Sequence, residues 1–423
     1  MPSAVVFISF RDLILENIGI PFAVVGLAWI CGRVVQHLRQ PAVIGELAAG
    51  IALGPSVFGV LAPASAALVF TPAVVSTISQ LAQIAILVFM FFIGSELDIS
   101  LLRRHLKGVA RIASFSLFLP FTLGATLATA LFANWHGSTA NETAFILFGG
   151  TAMAITAMPV LTRILSDMHL LGTPLGTIAI GCAAVDDVVA WTMLGFVVTL
   201  VHGETTGAFG VFLVAAYIAA MLVIVRPALA RVEIVCGQRA GRIVWLCLVM
   251  VTAALSAWLT EEIGIHAVFC ALVAGVCMPR TGGALHGLEP VRRLSSVLLP
   301  AFFVLIGLRT EVALMSGPSE WLLTVLIIVS ATAGKLGGAA LAARTLGFAW
   351  RESIVIGSLL NTRGMVELVA LDIGRTLGIL SPALFTMFVI MTFVTTFATV
   401  PLLQAIREKP RTLDEIQELQ GKY

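Results

Sequence analysis

Residues 356–369 read IGSLLNTRGMVELV. Arg363 and Glu367 are the only charges in the middle of a long apolar run, and Ser358, Asn361, Thr362 and Gly364 crowd beside them. A helix interrupted here would expose main-chain N–H and C=O groups. Far from water, such groups are tolerated only where they line protein or a cavity. The stretch therefore asks two things of its surroundings: whether they are a membrane, and what lies opposite the interruption.

Composition answers the first. Of 423 residues, 59% are hydrophobic and only 11% charged, with a mean hydropathy of +1.03. A soluble chain carries roughly 25% charged residues. Uncharged runs such as Ile112 to Ala133 recur, and a spanning helix needs about 20 apolar residues. The class is an all-α polytopic membrane protein. The six cysteines lie in apolar segments without a CxxC pair, so they read as small packing residues rather than a metal or redox site. The first ten residues lack a basic n-region and a clear cleavage site, which argues against a removed signal peptide.

Apolar stretches punctuated by Gly, Pro and charge predict thirteen spans, near 15–37, 41–59, 73–95, 106–134, 141–166, 171–202, 207–230, 239–259, 263–279, 294–313, 319–344, 350–376 and 380–406. Short connections leave no room for an inserted soluble domain, and the polar tail after Arg407 reads as too small for a nucleotide-binding regulatory domain. Lys and Arg favour the cytoplasmic side. With the N-terminus outside, 20 of the 25 fall on the cytoplasmic side and only Arg11, Arg309 and Arg375 on the other; Lys335 and Arg363 lie within spans. The expected topology is N-terminus out, C-terminus in.

Five ionisable residues sit deep inside spans: Asp186 and Asp187 in the sixth, Lys335 in the eleventh, Arg363 and Glu367 in the twelfth. Each costs about 2.5–3.5 kcal/mol at a helix centre on insertion scales, so such residues face the bundle interior or a cavity and pair. Arg363 and Glu367, four apart, could simply pair along one helix face. Three acids against two bases leave one surplus negative charge, which a single proton or monovalent cation would neutralise. Adjacent carboxylates cannot easily both ionise in low dielectric, and hard carboxylate oxygens suit Na⁺ or K⁺.

The fifth span supplies the partner of the interrupted twelfth. It reads GGTAMAITAMPVLTRIL (149–165), with Thr151, Thr156 and Pro159 in mid-span. Spans five and twelve are seven apart and hence oppositely oriented. Interrupted helices in corresponding places of two three-span units (4–6 and 11–13) are the pattern of inverted repeats whose discontinuous helices cross at a midplane site.

These residues resemble the monovalent cation:proton antiporter superfamily, in the branch of bacterial Kef-type and Nap-type carriers and plant cation/H⁺ exchangers. The resemblance rests on QPAVIGELAAGIALGPSVFG (40–59), FFIGSELDISLLRRH (91–105), AITAMPVLTRIL (154–165), AAVDDVVAW (183–191), LPAFFVLIGLRT (299–310) and NTRGMVELVALDIG (361–374). It implies a Na⁺/H⁺ antiporter fold with two crossing discontinuous helices. Residues 1–105 would be scaffold and dimerisation helices, 106–202 the first half of a core transport domain, and 203–318 linker and scaffold. Residues 319–406 would form the second half of the core, and 407–423 a cytoplasmic tail. It further implies that Asp187 carries cation and proton, Asp186 pairs with Lys335, Thr156 and Asn361 sit at the crossing, and Arg363 compensates charge there. The core would move against the scaffold of a homodimer in a bacterial inner membrane, with no cofactor and no nucleic acid.

One position departs from the pattern. The first residue of the acidic pair is often Asn in this branch, associated with electroneutral exchange; Asp186 looks like the electrogenic type, which moves more protons than cations. The wording around TAMPVLTRIL and NTRGMVELV is nearest the exchangers that include potassium carriers. Electrogenic Na⁺/H⁺ exchange is the expectation, and an electroneutral K⁺/H⁺ exchanger or potassium-efflux system under a separate subunit is the alternative. A sodium-coupled symporter would need a larger organic-substrate cavity. An intramembrane aspartyl protease would need two carboxylates converging on one water, yet neighbours on a helix point about 100° apart, and no GxGD motif supplies a second acid.

Overall fold

A computed structural model of the chain describes residues 18–38, 40–96, 106–139, 141–168, 170, 173–202, 216–236, 248, 251–252, 256, 267–278 and 289–406. Apart from one isolated bridge between His136 and Leu380, the described elements are helical. They are α1 (Ile20–His37), α2 (Ala42–Leu53), α3 (Phe58–Leu61), α4 (Pro63–Val69), α5 (Pro72–Glu96), α6 (Leu106–Trp135), α7 (Glu142–Ala154), α8 (Met158–Asp167) and α9 (Pro174–His202). A π-helical segment (Met221–Val225) leads into α10 (Arg226–Cys236), and α11 (Ala267–Cys277) and α12 (Glu289–Leu308) follow. After a 3₁₀ turn at Val312–Leu314 come α13 (Pro318–Thr345), α14 (Trp350–Leu360), α15 (Met365–Thr376) and α16 (Pro382–Ile406).

Among the described residues, eight helices are long and apolar enough to cross a membrane, and α14 with α15, bent by 43° at their break, makes a ninth. The protein is a multi-pass membrane protein. The expected spans near 207–230, 239–259 and 263–279 fall partly or largely outside the described residues, as does the tail from Arg407. The second span, expected near 41–59, is present over Ala42–Leu61, and within it the first helix ends at Leu53. Pro55 has no N–H to bond Ile51 and disfavours helical backbone at Gly54.

Both predicted interruptions are present, but narrower than the sequence suggested. In the fifth span only Ile155–Ala157 leave the helix. Pro159 sits in the first turn of the second half-helix, where its missing N–H has no cost, while it could never have bonded the Ile155 carbonyl of a continuous helix. In the twelfth span the break is Asn361–Gly364. Thr151 and Ser358, expected among the irregular residues, are helical; each hydroxyl donates to the carbonyl four residues back, Leu147 and Ile354, at 2.7 Å. Gly364 starts α15 with φ 153°, a conformation that only glycine adopts without strain.

Extensive packing runs within two sets of helices. In one, α1, α2, α5, α11 and α12 lie together; in the other, α6, α7, α9, α13, α14, α15 and α16 do. With no hydrophobic drive between helices in lipid, small residues that admit close backbones hold such bundles. In the first set Gly94 meets the Leu272 carbonyl and Gly275 the Phe91 carbonyl, while Gly50 and Gly307 bring α2 against α12. In the second set Gly124 meets the Gly149 carbonyl, and Gly334 faces Pro120. The two repeats are also tied at one end, where Gly137 and Thr139 donate main-chain bonds to the Ile379 and Gly378 carbonyls at 2.8 and 3.2 Å.

Candidate ion-binding site

The two interruptions cross in the middle of the second set. The Ala157 N–H donates to the Thr362 carbonyl at 3.0 Å, so the irregular segments satisfy each other in part. What they leave over is set by helix geometry: the last four carbonyls of any helix have no intrahelical donor, and they form the negative end of its dipole. For α7 these are the carbonyls of residues 151–154. Arg363 donates to Ala152 O at 3.0 Å and to Met153 O at 2.6 Å, and Lys335 donates to Ala154 O. The two intramembrane cations therefore close the end of the same half-helix, a role that charge counting had not suggested.

Each cation also holds one carboxylate. Lys335 Nζ lies 2.6 Å from Asp186 Oδ2 and Arg363 Nη1 lies 3.0 Å from Glu367 Oε1; all four side chains are fully buried. Thr156 Oγ1 stands 2.6 Å from Asp186 Oδ2 and 3.0 Å from the Leu360 carbonyl at the end of α14. Having one proton, it donates to one of these at a time. Asn361 is buried at the crossing, and its side-chain carbonyl has no donor among the described residues.

Asp187 completes the set. It is 0% exposed, and among the described residues neither carboxylate oxygen has a hydrogen-bond partner. At 1.5 Å per residue it lies about 20 Å along α9, near the middle of that helix. The surplus negative charge inferred from the sequence thus belongs to one residue, because the other two acids are each paired. A bare buried carboxylate is costly, so this position favours whatever neutralises it: a proton, or a small cation that its hard oxygens can ligate.

The sequence residues Thr156, Asp186, Asp187, Lys335, Asn361, Arg363 and Glu367 all lie in or beside this one crossing. Thr396 went unnoticed; its hydroxyl donates to the Arg363 carbonyl at 2.8 Å and so supports the interruption from α16. The buried threonines 392, 395, 396 and 399 recur at helical spacing along an apolar span, and that pattern was the available signal.

Residues 23–405 match the family described as sodium/hydrogen exchanger, transmembrane. The Na⁺/H⁺ antiporter NhaS4 of Synechocystis is 37% identical over 94% of this chain and 98% of its own length. Cation/H⁺ antiporter 17 of Arabidopsis thaliana is 37% identical over 90% of the chain and 47% of its own length. K⁺/H⁺ antiporter 1 of Saccharomyces cerevisiae is 30% identical over 87% and 44%; the chain thus spans about half the length of these plant and yeast relatives. The solved structure of the sodium proton antiporter MjNhaP1 from Methanocaldococcus jannaschii superimposes with a TM-score of 0.67 over 92% of this chain and 96% of that one, at 15% identity. At that identity the likeness establishes the fold, and the sequence matches establish the lineage: the chain belongs to the sodium/hydrogen exchanger family, within the monovalent cation:proton antiporter superfamily, and is a membrane transporter.

Proposed function

We propose that the protein exchanges a monovalent cation for protons across the membrane, with Asp187 as the group that carries each in turn. The observation that carries this reading is the charge ledger of the crossing: two ion pairs and one carboxylate without a partner among the described residues. A site that must be neutralised by one of two small ions, and holds one negative charge, couples their movements. Bound Na⁺ excludes the proton, and the bound proton excludes Na⁺. Thr156 and Asn361 sit where they can complete a cation's oxygen shell.

The names of the relatives favour Na⁺ and H⁺ as substrates, and Asp186 in place of Asn supports electrogenic exchange with more protons than cations per cycle. The two helix sets support alternating access. The set containing the crossing (α6–α9 and α13–α16) is the moving core; α1–α5, α11 and α12 belong to the scaffold, which pairs in a homodimer. The charge bias in the connections supports a bacterial inner membrane with the N-terminus outside. A second reading, electroneutral K⁺/H⁺ exchange, is favoured by the yeast relative.

In inverted vesicles holding an acid-interior pH gradient, Na⁺ collapses the gradient in the wild type and Asp187→Asn abolishes the collapse. Undiminished exchange in the variant would remove Asp187 from the site. Running Na⁺, K⁺, Li⁺ and Rb⁺ in the same assay separates the two readings, and clamping the potential with valinomycin and K⁺ tests electrogenicity.

A further inference from the structure

Two arginines occupy the face that the positive-inside bias reads as external, among a described set of cations otherwise confined to the opposite face or the membrane interior. Arg309 follows α12, and Arg375 lies in the last turn of α15. Neither is a free surface charge. Arg309 is ion-paired with Asp372. Arg375 lies 3.4 Å from Glu311 Oε1, donates to the Arg309 carbonyl at 2.6 Å, and covers the Phe385 ring at 5.0 Å. Two positive and two negative charges thus close on one another, each partly sheltered from solvent, with side-chain exposures between 22% and 38%.

What makes the cluster informative is where its members come from. Arg309 and Glu311 continue from α12, in the first helix set; Asp372, Arg375 and Phe385 belong to α15 and α16, in the second. The segment is stapled to both sides by other means too. The Ser56 hydroxyl donates to the Thr310 carbonyl at 2.6 Å and accepts from Val312 N–H at 3.0 Å, binding it to the turn after α2. The Glu311 N–H donates to Thr386 Oγ1 of α16 at 3.1 Å. Any movement of one set against the other at this end must stretch the Glu311–Thr386 bond and the two ion pairs, while the Ser56 bonds keep the segment with the first set.

We propose that Arg309–Asp372 and Arg375–Glu311 form an electrostatic latch that holds the two helix sets together at the external face and so sets how much of the protein is open there. The proposal rests on the exchanger reading above, in which the sets move relative to each other. Half-exposed ion pairs contribute modestly, which suits a latch that must release in every cycle. A stronger, fully buried bridge would trap one state, since a population shifts only by the differential stability of the two conformers.

The test compares right-side-out with inverted vesicles, reading the apparent KM for Na⁺ at each face. Asp372→Asn and Arg309→Gln should each lower the external-to-internal KM ratio by roughly two- to fivefold. The charge exchange Arg309→Asp with Asp372→Arg should return the ratio to the wild-type value. A second readout does not depend on transport. In a background without the native cysteines, Thr386→Cys is buried beneath the latch and should react faster with a membrane-impermeant maleimide once Asp372→Asn is added. Unchanged KM ratios together with unchanged labelling overturn the latch. A wild type that exchanges no cation overturns the functional reading, and the labelling then still decides the latch.

Discussion

Replacing Lys335 by Met separates the structural from the transport role of the first ion pair. Lys335 is fully buried and holds two acceptors, Asp186 Oδ2 at 2.6 Å and the Ala154 carbonyl. Methionine keeps the length of the side chain and deletes the charge. Asp186 is then left as a buried carboxylate with the Thr156 hydroxyl as its one donor, and removing one partner of a buried pair typically costs about 3–5 kcal/mol. The Ala154 carbonyl, at the negative end of α7, loses its charged donor, which adds about 1.5–3 kcal/mol. Most of the first term comes from the stranded charge and not from lost attraction. A second change, Asp186→Asn, should therefore recover it and leave only the carbonyl term. Thermal melting of the purified protein in detergent should rank wild type first, the double variant second and Lys335→Met last. The double variant keeps Asp187, so it should still exchange cation for proton, now without response to an imposed potential. A single variant as stable as the wild type, or a double variant no better than the single, would refute the assignment of Lys335 as the compensating charge.

Two further outcomes follow from the same geometry. Gly364→Ala forces a Cβ into a backbone at φ 153°, within 2.9 Å of Val160 Cγ2; a strain of about 1–3 kcal/mol should lower the melting temperature and slow exchange, whereas an unaffected variant would mean the break can relax. Arg363→Gln should destabilise more than Arg363→Gln with Glu367→Gln, because the double change removes the stranded Glu367 carboxylate; melting curves that fail to show this order would assign Arg363 to carbonyl capping alone.

Much was legible in the sequence because a membrane makes the rules severe. A charge, a proline or a run of polar residues inside an apolar span is costly enough that each has to be explained. Asp186, Asp187, Lys335, Arg363 and Glu367 could therefore be singled out one by one, and the interrupted fifth and twelfth spans recognised as a pair. The exact limits of the interruptions were not legible. Thr151 and Ser358 carry hydroxyls that can satisfy the carbonyl of the preceding turn, so a polar residue in mid-span need not break the helix.

The sequence by itself determined a polytopic helical membrane protein, two inverted units with broken helices, and a surplus of one negative charge within them. These follow from composition and order along the chain, which the cost of burying polar groups in lipid converts into architecture. The family resemblance implied Asp187, and the tertiary structure supplied the physical reason why that acid and not its neighbour holds the surplus. Asp186 and Asp187 are adjacent and chemically identical, yet they point to different sides of α9. One meets Lys335, arriving from a helix about 150 residues away, and the other meets no hydrogen-bond partner among the described residues. The tertiary structure alone decided that both cations close the end of α7, and that Arg309 and Arg375 join the two helix sets. Pairing across such distances depends on direction and depth in the bundle, and neither is written in the spacing of residues along the chain.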